Sequence, residues 1–242
     1  DVRRFMEVSD EQLRAMHEGR YDSDLIESEF LFLLAMDRTY RNVAVHLMKN
    51  AEELRFVTVY LRGIDILGHA ALRYGTPLDR PPGSGPYADT VRRYYLYSDS
   101  LVQELLDAAG EDTTVILVSD HGFERQGDGT FGHDEAPDGV MFARGEPFRV
   151  GERITEATVY DVMPTLLHLY RLATPEDGKG RALTHLMRET ETPQPAPRRV
   201  ATYGYHLSPI VGGAASPGDQ EAVKRLRALG YLDKEGQEGD DE

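Results

Sequence analysis

Two short apolar runs, each followed by polar residues, limit the fold most strongly. Residues 56–61 (FVTVYL) and 113–119 (TTVILVS) are rich in β-branched, aliphatic or aromatic residues, which is typical of strands, and the first run suits a strand buried on both faces. Asp65 lies just beyond the first run, and Asp120 and His121 directly follow the second. Because helical patterns separate the runs, the sequence predicts an α/β fold with polar side chains at the carboxyl ends of its strands.

Helical spacing of apolar residues predicts the elements around these strands. Ser9 and Gln12 form a capping-box pattern that starts a short helix over about 9–18. Apolar residues then recur at helical spacing over 23–50, as one helix or two. Further elements are predicted as helices at 87–109, 158–170 and 220–229, with a third strand at 139–143.

Two proline-rich stretches mark the organisation of the chain. Residues 73–87 hold four prolines and three glycines, which predicts a loop or insertion at the rim of a domain. After Met187 the sequence becomes proline-rich and then glycine-rich, and it ends in an acidic tail from Gly236. We therefore expect one domain over 1–187 and an extension over 188–242 that contains one helix and the solvated acidic tail.

Charge and composition exclude several classes of function. The net charge of −15 argues against nucleic acid as a general ligand, because a phosphate backbone would be repelled. The chain has no cysteine, which excludes disulfides and thiolate metal sites. No apolar run approaches the ~20 residues that span a bilayer, and the first residues carry no signal-peptide pattern.

Three polar clusters supply candidate metal ligands. They contain Asp65 and His69, Asp120 and His121, and His133 within Gly-His-Asp. Taken singly, each has an ordinary structural explanation, such as a surface pair, a turn aspartate or a loop histidine. Taken together, imidazoles and carboxylates without sulfur favour zinc or a similar divalent ion, since calcium and magnesium sites rely on oxygen almost alone.

Four segments carry a family resemblance. They are YLRGIDILGH at 60–69, VSDHGF at 118–123, GHDEAPDGV at 132–140 and the helix-containing segment at 160–183. In this order they resemble the C-terminal half of the type I phosphodiesterase / nucleotide pyrophosphatase family of the alkaline phosphatase superfamily. The resemblance implies a partial alkaline-phosphatase-like three-layer α/β/α sandwich, in which the helix near Asp161 and Pro164 has a packing role.

The resemblance also implies a metal site and its ligands. Two Zn²⁺ or other divalent ions are expected. Asp65, His69 and His133 would bind one ion, and Asp120 and His121 would bind the other. The remaining histidines, including His168, match no ligand position of the family and are expected to be surface or packing residues.

The family's nucleophile is the main departure from the pattern. Its members use a further Asp after the first strand and a Thr or Ser at a helix N-terminus, and no segment of this chain resembles either one. We therefore expect both to lie upstream of this chain, which by itself would be inactive. A non-catalytic relative of the family is the alternative.

The implied activity is two-zinc hydrolysis of phosphate esters of the phosphodiesterase or nucleotide pyrophosphatase type. Alternatives within the superfamily are a phosphomonoesterase, a phosphonate hydrolase, a mutase or a sulfatase. The calcium site of sulfatases fits His69, His121 and His133 poorly. A non-catalytic metal-binding module, with 73–87 and 188–242 binding a partner protein, is the alternative from a different class.

The expected partner is a small phosphate ester, and the proline-rich loop at 73–87 is predicted to form part of the substrate rim. Local attraction to the two cations would overcome the repulsion from the acidic chain. A periplasmic or secreted location agrees with the resemblance. Substrate identity and oligomeric state do not follow from the sequence.

Overall fold

The computed structural model describes residues 25–76, 87–189 and 198–204, together with Phe5, residues 9–11, Arg14 and Gly85. Helices and short strands are mixed, as expected of the α/β class. The elements are α1 (Leu25–Asn50), α2 (Gly63–Ala71), α3 (Thr90–Ala109), β1 (Val115–Val118), β2 (Glu124–Arg125), β3 (Phe131–Gly132), β4 (Met141–Arg144), α4 (Val162–Leu169), β5 (Thr174–Pro175) and β6 (Arg199–Val200). Short 3-10 turns lie at Leu72–Tyr74, Val159–Asp161 and Thr184–Leu186.

The described residues divide into two compact units. The first unit contains 25–76, 87–110 and 123–137, and the second contains 111–122, 138–189 and 198–204. The predicted boundary between 187 and 188 stays a prediction. Within the described ranges, no helix is both long enough and apolar enough to span a membrane.

The first unit is built on three helices. The segment predicted at 23–50 forms the single helix α1, which buries Phe30, Leu33 and Ala44 along one face. Aromatic rings fill the centre of the core, where the centroid of Phe30 lies 5.3 Å from that of Phe5 and 5.9 Å from that of Tyr94. The helix α3 confirms the helix predicted at 87–109, and it ends at Gly110, whose φ is +79°.

The strand predicted at 56–61 is not formed. This segment joins α1 to α2 outside any helix or strand, and within the described part of the chain no neighbouring strand pairs with it. Phe56 and Tyr60 are 53% and 62% exposed, whereas Val57 and Val59 are half-buried. Side chains in this segment therefore alternate between exposed and half-buried, as in a strand. The segment is not buried on both faces, and it forms no hydrogen-bonded ladder with a described strand.

The second unit holds the strand predicted at 113–119, which forms as β1. It pairs antiparallel with β4, which forms near the strand predicted at 139–143, and Leu117 lies opposite Phe142. Phe148, Leu183, Leu186 and Met187 form the core beneath this pair. The described sheets are all two-stranded, antiparallel in β1–β4 and β2–β3 and parallel in β5–β6, and the three-layer sandwich stays a prediction.

Asp161 organises the start of α4 in the second unit. Its Oδ2 accepts hydrogen bonds from Thr158 N at 2.8 Å and Thr158 Oγ1 at 3.1 Å, and its Oδ1 accepts from Arg181 N at 2.7 Å. Burial disfavours the charged form, but these hydrogen bonds outweigh that effect and lower the pKa of Asp161 below its ordinary value. The packing role expected near Asp161 and Pro164 agrees with this arrangement.

Replacing Asp161 with asparagine is expected to reduce stability in a pH-dependent way. Because the pKa of Asp161 is lowered on folding, its contribution is complete above the unfolded value of 3.8 and is lost as pH falls through the folded value. D161N should cost about 1–3 kcal/mol near neutral pH, since a buried amide donor is left without its acceptor. Urea unfolding across pH 2–6 measures this, and an equal loss at every pH would contradict the assignment.

Several predictions fall partly or wholly outside the described residues. Of the helix predicted over 9–18, Asp10, Glu11 and Arg14 are described and are helical. The helix predicted at 220–229, the acidic tail and most of the proline-rich loop lie outside the described residues.

Candidate metal centre

The helix α2 presents Asp65 and His69 one turn apart. Asp65 Oδ1 and His69 Nε2 lie 3.6 Å from each other, and both atoms are buried. Only 17% of the Asp65 side chain and 12% of the His69 side chain are exposed. Because residues four apart share one helix face, Asp65 and His69 lie side by side, and their role as metal ligands stays a prediction.

The other ring nitrogen of His69 defines its tautomer. Nδ1 lies 3.0 Å from the Phe131 carbonyl oxygen, which can only accept, so Nδ1 carries a proton and Nε2 is the ring atom that faces Asp65. A ring nitrogen and a carboxylate oxygen that face each other in a buried site can share a proton as an ion pair or hold a metal ion between them. Nitrogen and oxygen ligands of a tetrahedral zinc ion lie about 3.3 Å apart, close to the observed 3.6 Å.

His133 stands beside this pair. Its ring centroid lies 5.2 Å from that of His69, with the ring planes at 77°. Two imidazoles on one tetrahedral zinc ion have centroids about 5 Å apart, so this spacing fits. Within the described ranges, however, no three His, Asp or Glu side chains form a group that could hold a metal ion. The predicted set of Asp65, His69 and His133 stays a prediction.

Phe123 encloses the His69 side chain. Its ring lies edge-on to the imidazole with centroids 5.1 Å apart. A Cβ atom at Gly68 would lie 2.5 Å from the Phe123 ring, so the glycine lets this ring lie directly against α2. An aromatic side chain therefore fills the space beside Gly68, which lowers the local dielectric.

The second predicted pair lies in the other unit, in the turn after β1. His121 Nδ1 lies 2.9 Å from the Gly122 carbonyl oxygen, and its Nε2 lies 3.8 Å from Asp120 Oδ1. Asp120 is 71% exposed by its side chain, whereas His121 is 20% exposed. His121 also forms an isolated antiparallel bridge with Asp138, which fixes the turn beside the start of β4.

One buried carboxylate near α2 escaped the sequence analysis. Asp37 of α1 is 0% exposed and accepts hydrogen bonds from the backbone of Arg62 and Gly63 and from the Tyr94 hydroxyl. Burial raises the pKa of Asp37, and these three hydrogen bonds offset part of that rise. Its position in the sequence was the sign that Asp37 is buried, because it lies seven residues before Ala44 and four after Leu33, on the apolar face of α1.

The chain matches the model of one known family. That family is described as type I phosphodiesterase / nucleotide pyrophosphatase, and the match spans residues 7–137, more than half of the chain. All five predicted ligands lie inside this span, and the segment at 160–183 lies outside it. No curated protein and no solved structure matches the chain. The chain belongs to the type I phosphodiesterase / nucleotide pyrophosphatase family.

Proposed function

We propose that this protein is a zinc-dependent hydrolase of phosphate diesters. Asp65, His69 and His133 are the ligands of one ion, and Asp120 and His121 are ligands of a second. The nucleophile in this proposal is a Thr or Ser hydroxyl, the residue type that the family resemblance implies. Membership in the family supports the hydrolase class, while the metals and their ligands are our proposal.

One observation carries the ligand assignment. In both pairs the histidine places Nδ1 against a backbone carbonyl, at 3.0 Å for His69 and 2.9 Å for His121, and directs Nε2 at the neighbouring carboxylate. Ligating histidines ordinarily hold the second ring nitrogen in this way, because the hydrogen bond fixes the tautomer and the ring direction. The same arrangement occurs in two separate segments of the chain. This repetition supports a metal-binding role for both pairs, and a coincidence of local structure explains it less well.

The chain's own residues would act by binding and orientation. Asp65 and Asp120 supply negative charge that favours a divalent ion, and the histidines supply nitrogen donors. Phe123 excludes water from one side of His69 and so strengthens electrostatic interactions there. Bound zinc supplies Lewis-acid stabilisation of the negative charge that develops on a phosphoryl group.

Removing the metal is expected to abolish phosphodiester hydrolysis. The full-length gene product is assayed with bis(p-nitrophenyl) phosphate before and after treatment with a chelator, and again after Zn²⁺ is restored. We expect loss of turnover by at least about 100-fold and recovery with zinc, since a Lewis acid contributes several kcal/mol to such reactions.

The comparison substrates are p-nitrophenyl phosphate and p-nitrophenyl sulfate. Preference for either one would replace the diesterase assignment with another branch of the superfamily. Binding of zinc without hydrolysis of any ester would instead identify a non-catalytic metal-binding module.

A further inference from the structure

The start of α2 is held by a residue from another helix. Arg62 precedes the helix and Gly63 begins it. The side chain of Arg62 does not cap the first backbone N–H groups, which have no partner within the helix itself. Asp37 takes that role from α1, because Oδ1 accepts from Arg62 N at 3.2 Å and Oδ2 accepts from Gly63 N at 3.1 Å. Its carboxylate also lies at the positive end of the helix dipole of α2.

Tyr94 fixes the rotation of this carboxylate. Its hydroxyl donates to Asp37 Oδ2 at 2.9 Å, and both side chains are fully buried. Each carboxylate oxygen of Asp37 therefore accepts a hydrogen bond from one backbone N–H group at the start of α2, and Tyr94 of α3 holds the carboxylate in that orientation. A buried carboxylate is costly unless such donors compensate it, so the donors explain why this position tolerates an acid among apolar neighbours.

The length of α2 makes this anchor important. With nine residues, α2 is shorter than the ~12–15 residues at which an isolated helix becomes marginally stable, so its placement depends on tertiary contacts. Asp65 lies two residues after Gly63, within the first turn, and His69 lies one turn later. The position of both predicted ligands therefore depends on the hydrogen bonds at residues 62 and 63.

We propose that Asp37 is a positioning residue for the metal pair on α2, acting through Arg62 N and Gly63 N to set Asp65 against His69. The metal part of this assignment rests on the proposed function. Asp37 itself binds neither metal nor substrate. This role predicts that a substitution of the Asp37 carboxylate weakens zinc binding in a protein that still folds.

The test compares D37N with a matched variant, D161N, in the full chain. Asparagine offers one oxygen, so either Arg62 N or Gly63 N loses its acceptor. Asp161 is also a buried acid at a helix start, but α4 carries no predicted ligand. Zn²⁺ affinity is measured by competition with a chromophoric chelator, and folding is checked by circular dichroism. We expect the zinc dissociation constant to rise about 10–100-fold in D37N and to stay within twofold in D161N.

A metal-free measurement separates this proposal from the proposed function. Nitrogen NMR of the imidazoles reports the tautomer of His69, which is protonated at Nδ1 when it donates to Phe131 O. D37N should populate the other tautomer, and D161N should not. If the unsubstituted chain binds no zinc, the proposed function fails, and the tautomer comparison still decides the role of Asp37.

Two results would overturn the positioning role. The first is a folded D37N whose zinc affinity and His69 tautomer both match the unsubstituted chain. If D37N does not fold, Y94F decides instead, because it removes only the hydroxyl that orients Asp37. We expect at least a threefold weaker affinity for zinc in Y94F, and an unchanged affinity in that variant is the second overturning result.

Discussion

Replacing His69 with alanine is expected to lower phosphodiester turnover by about 10²–10³-fold in the full-length protein. His69 is the central side chain of the candidate site. Its Nε2 faces Asp65 Oδ1 at 3.6 Å, its ring lies beside the His133 ring, and its Nδ1 lies 3.0 Å from Phe131 O. Its loss would remove one of the three proposed ligands, and several kcal/mol of transition-state stabilisation correspond to that loss of rate. Steady-state kinetics with zinc in excess measure the effect.

His46 supplies the matched control for this substitution. It lies exposed on α1 in the same unit, where its contacts are with Asn50 one turn later. H46A should retain turnover within about twofold, as surface substitutions usually change stability by less than 0.5 kcal/mol. Equal losses in H69A and H46A would show that the assay reports general damage, and full activity of H69A with zinc bound would refute the ligand assignment.

Local patterns in the sequence were sufficient to predict α1, α3 and α4 and the strands β1 and β4, but not the helix α2 or the antiparallel pairing of β1 with β4. The apolar face of α1 is repeated over seven turns, and the run that becomes β1 is dense in β-branched residues. Each pattern needs only its own residues to be recognised. The approach of Asp65 to His69 is also a local feature, because residues four apart share one face once the segment forms a helix such as α2.

Features that depend on distant partners were not predictable. Residues 56–61 have the composition of a buried strand, but strand formation depends on a neighbour that contributes hydrogen bonds, and a single segment does not reveal one. Asp37 posed the same difficulty, since the two backbone N–H groups that donate to its carboxylate lie 25 and 26 residues further along the chain. The position of an acid on an apolar helix face was visible, but the donors that compensate it were not.

Replacing Gly63 with alanine is expected to destabilise the first unit by about 3–5 kcal/mol. A Cβ atom there would overlap the Tyr94 hydroxyl and lie 2.6 Å from Asp37 Oδ2. Neither group can move freely, because both are buried and hydrogen-bonded to each other. Overpacking costs about 1–3 kcal/mol, and displacing Asp37 adds the cost of backbone donors that lose their acceptor.

The sign of the change in the free energy of unfolding shows whether close packing or helix propensity dominates at residue 63. Alanine is favoured over glycine in a helix by about 1 kcal/mol, so propensity alone predicts that G63A stabilises the protein. Gly127 is the control, because it lies in the same unit and a Cβ atom there meets nothing within 4 Å. Urea unfolding of both variants measures the difference. A G63A protein at least as stable as G127A would mean that Asp37 and Tyr94 do not enclose the start of α2, and the anchor assigned to Asp37 would fall with it.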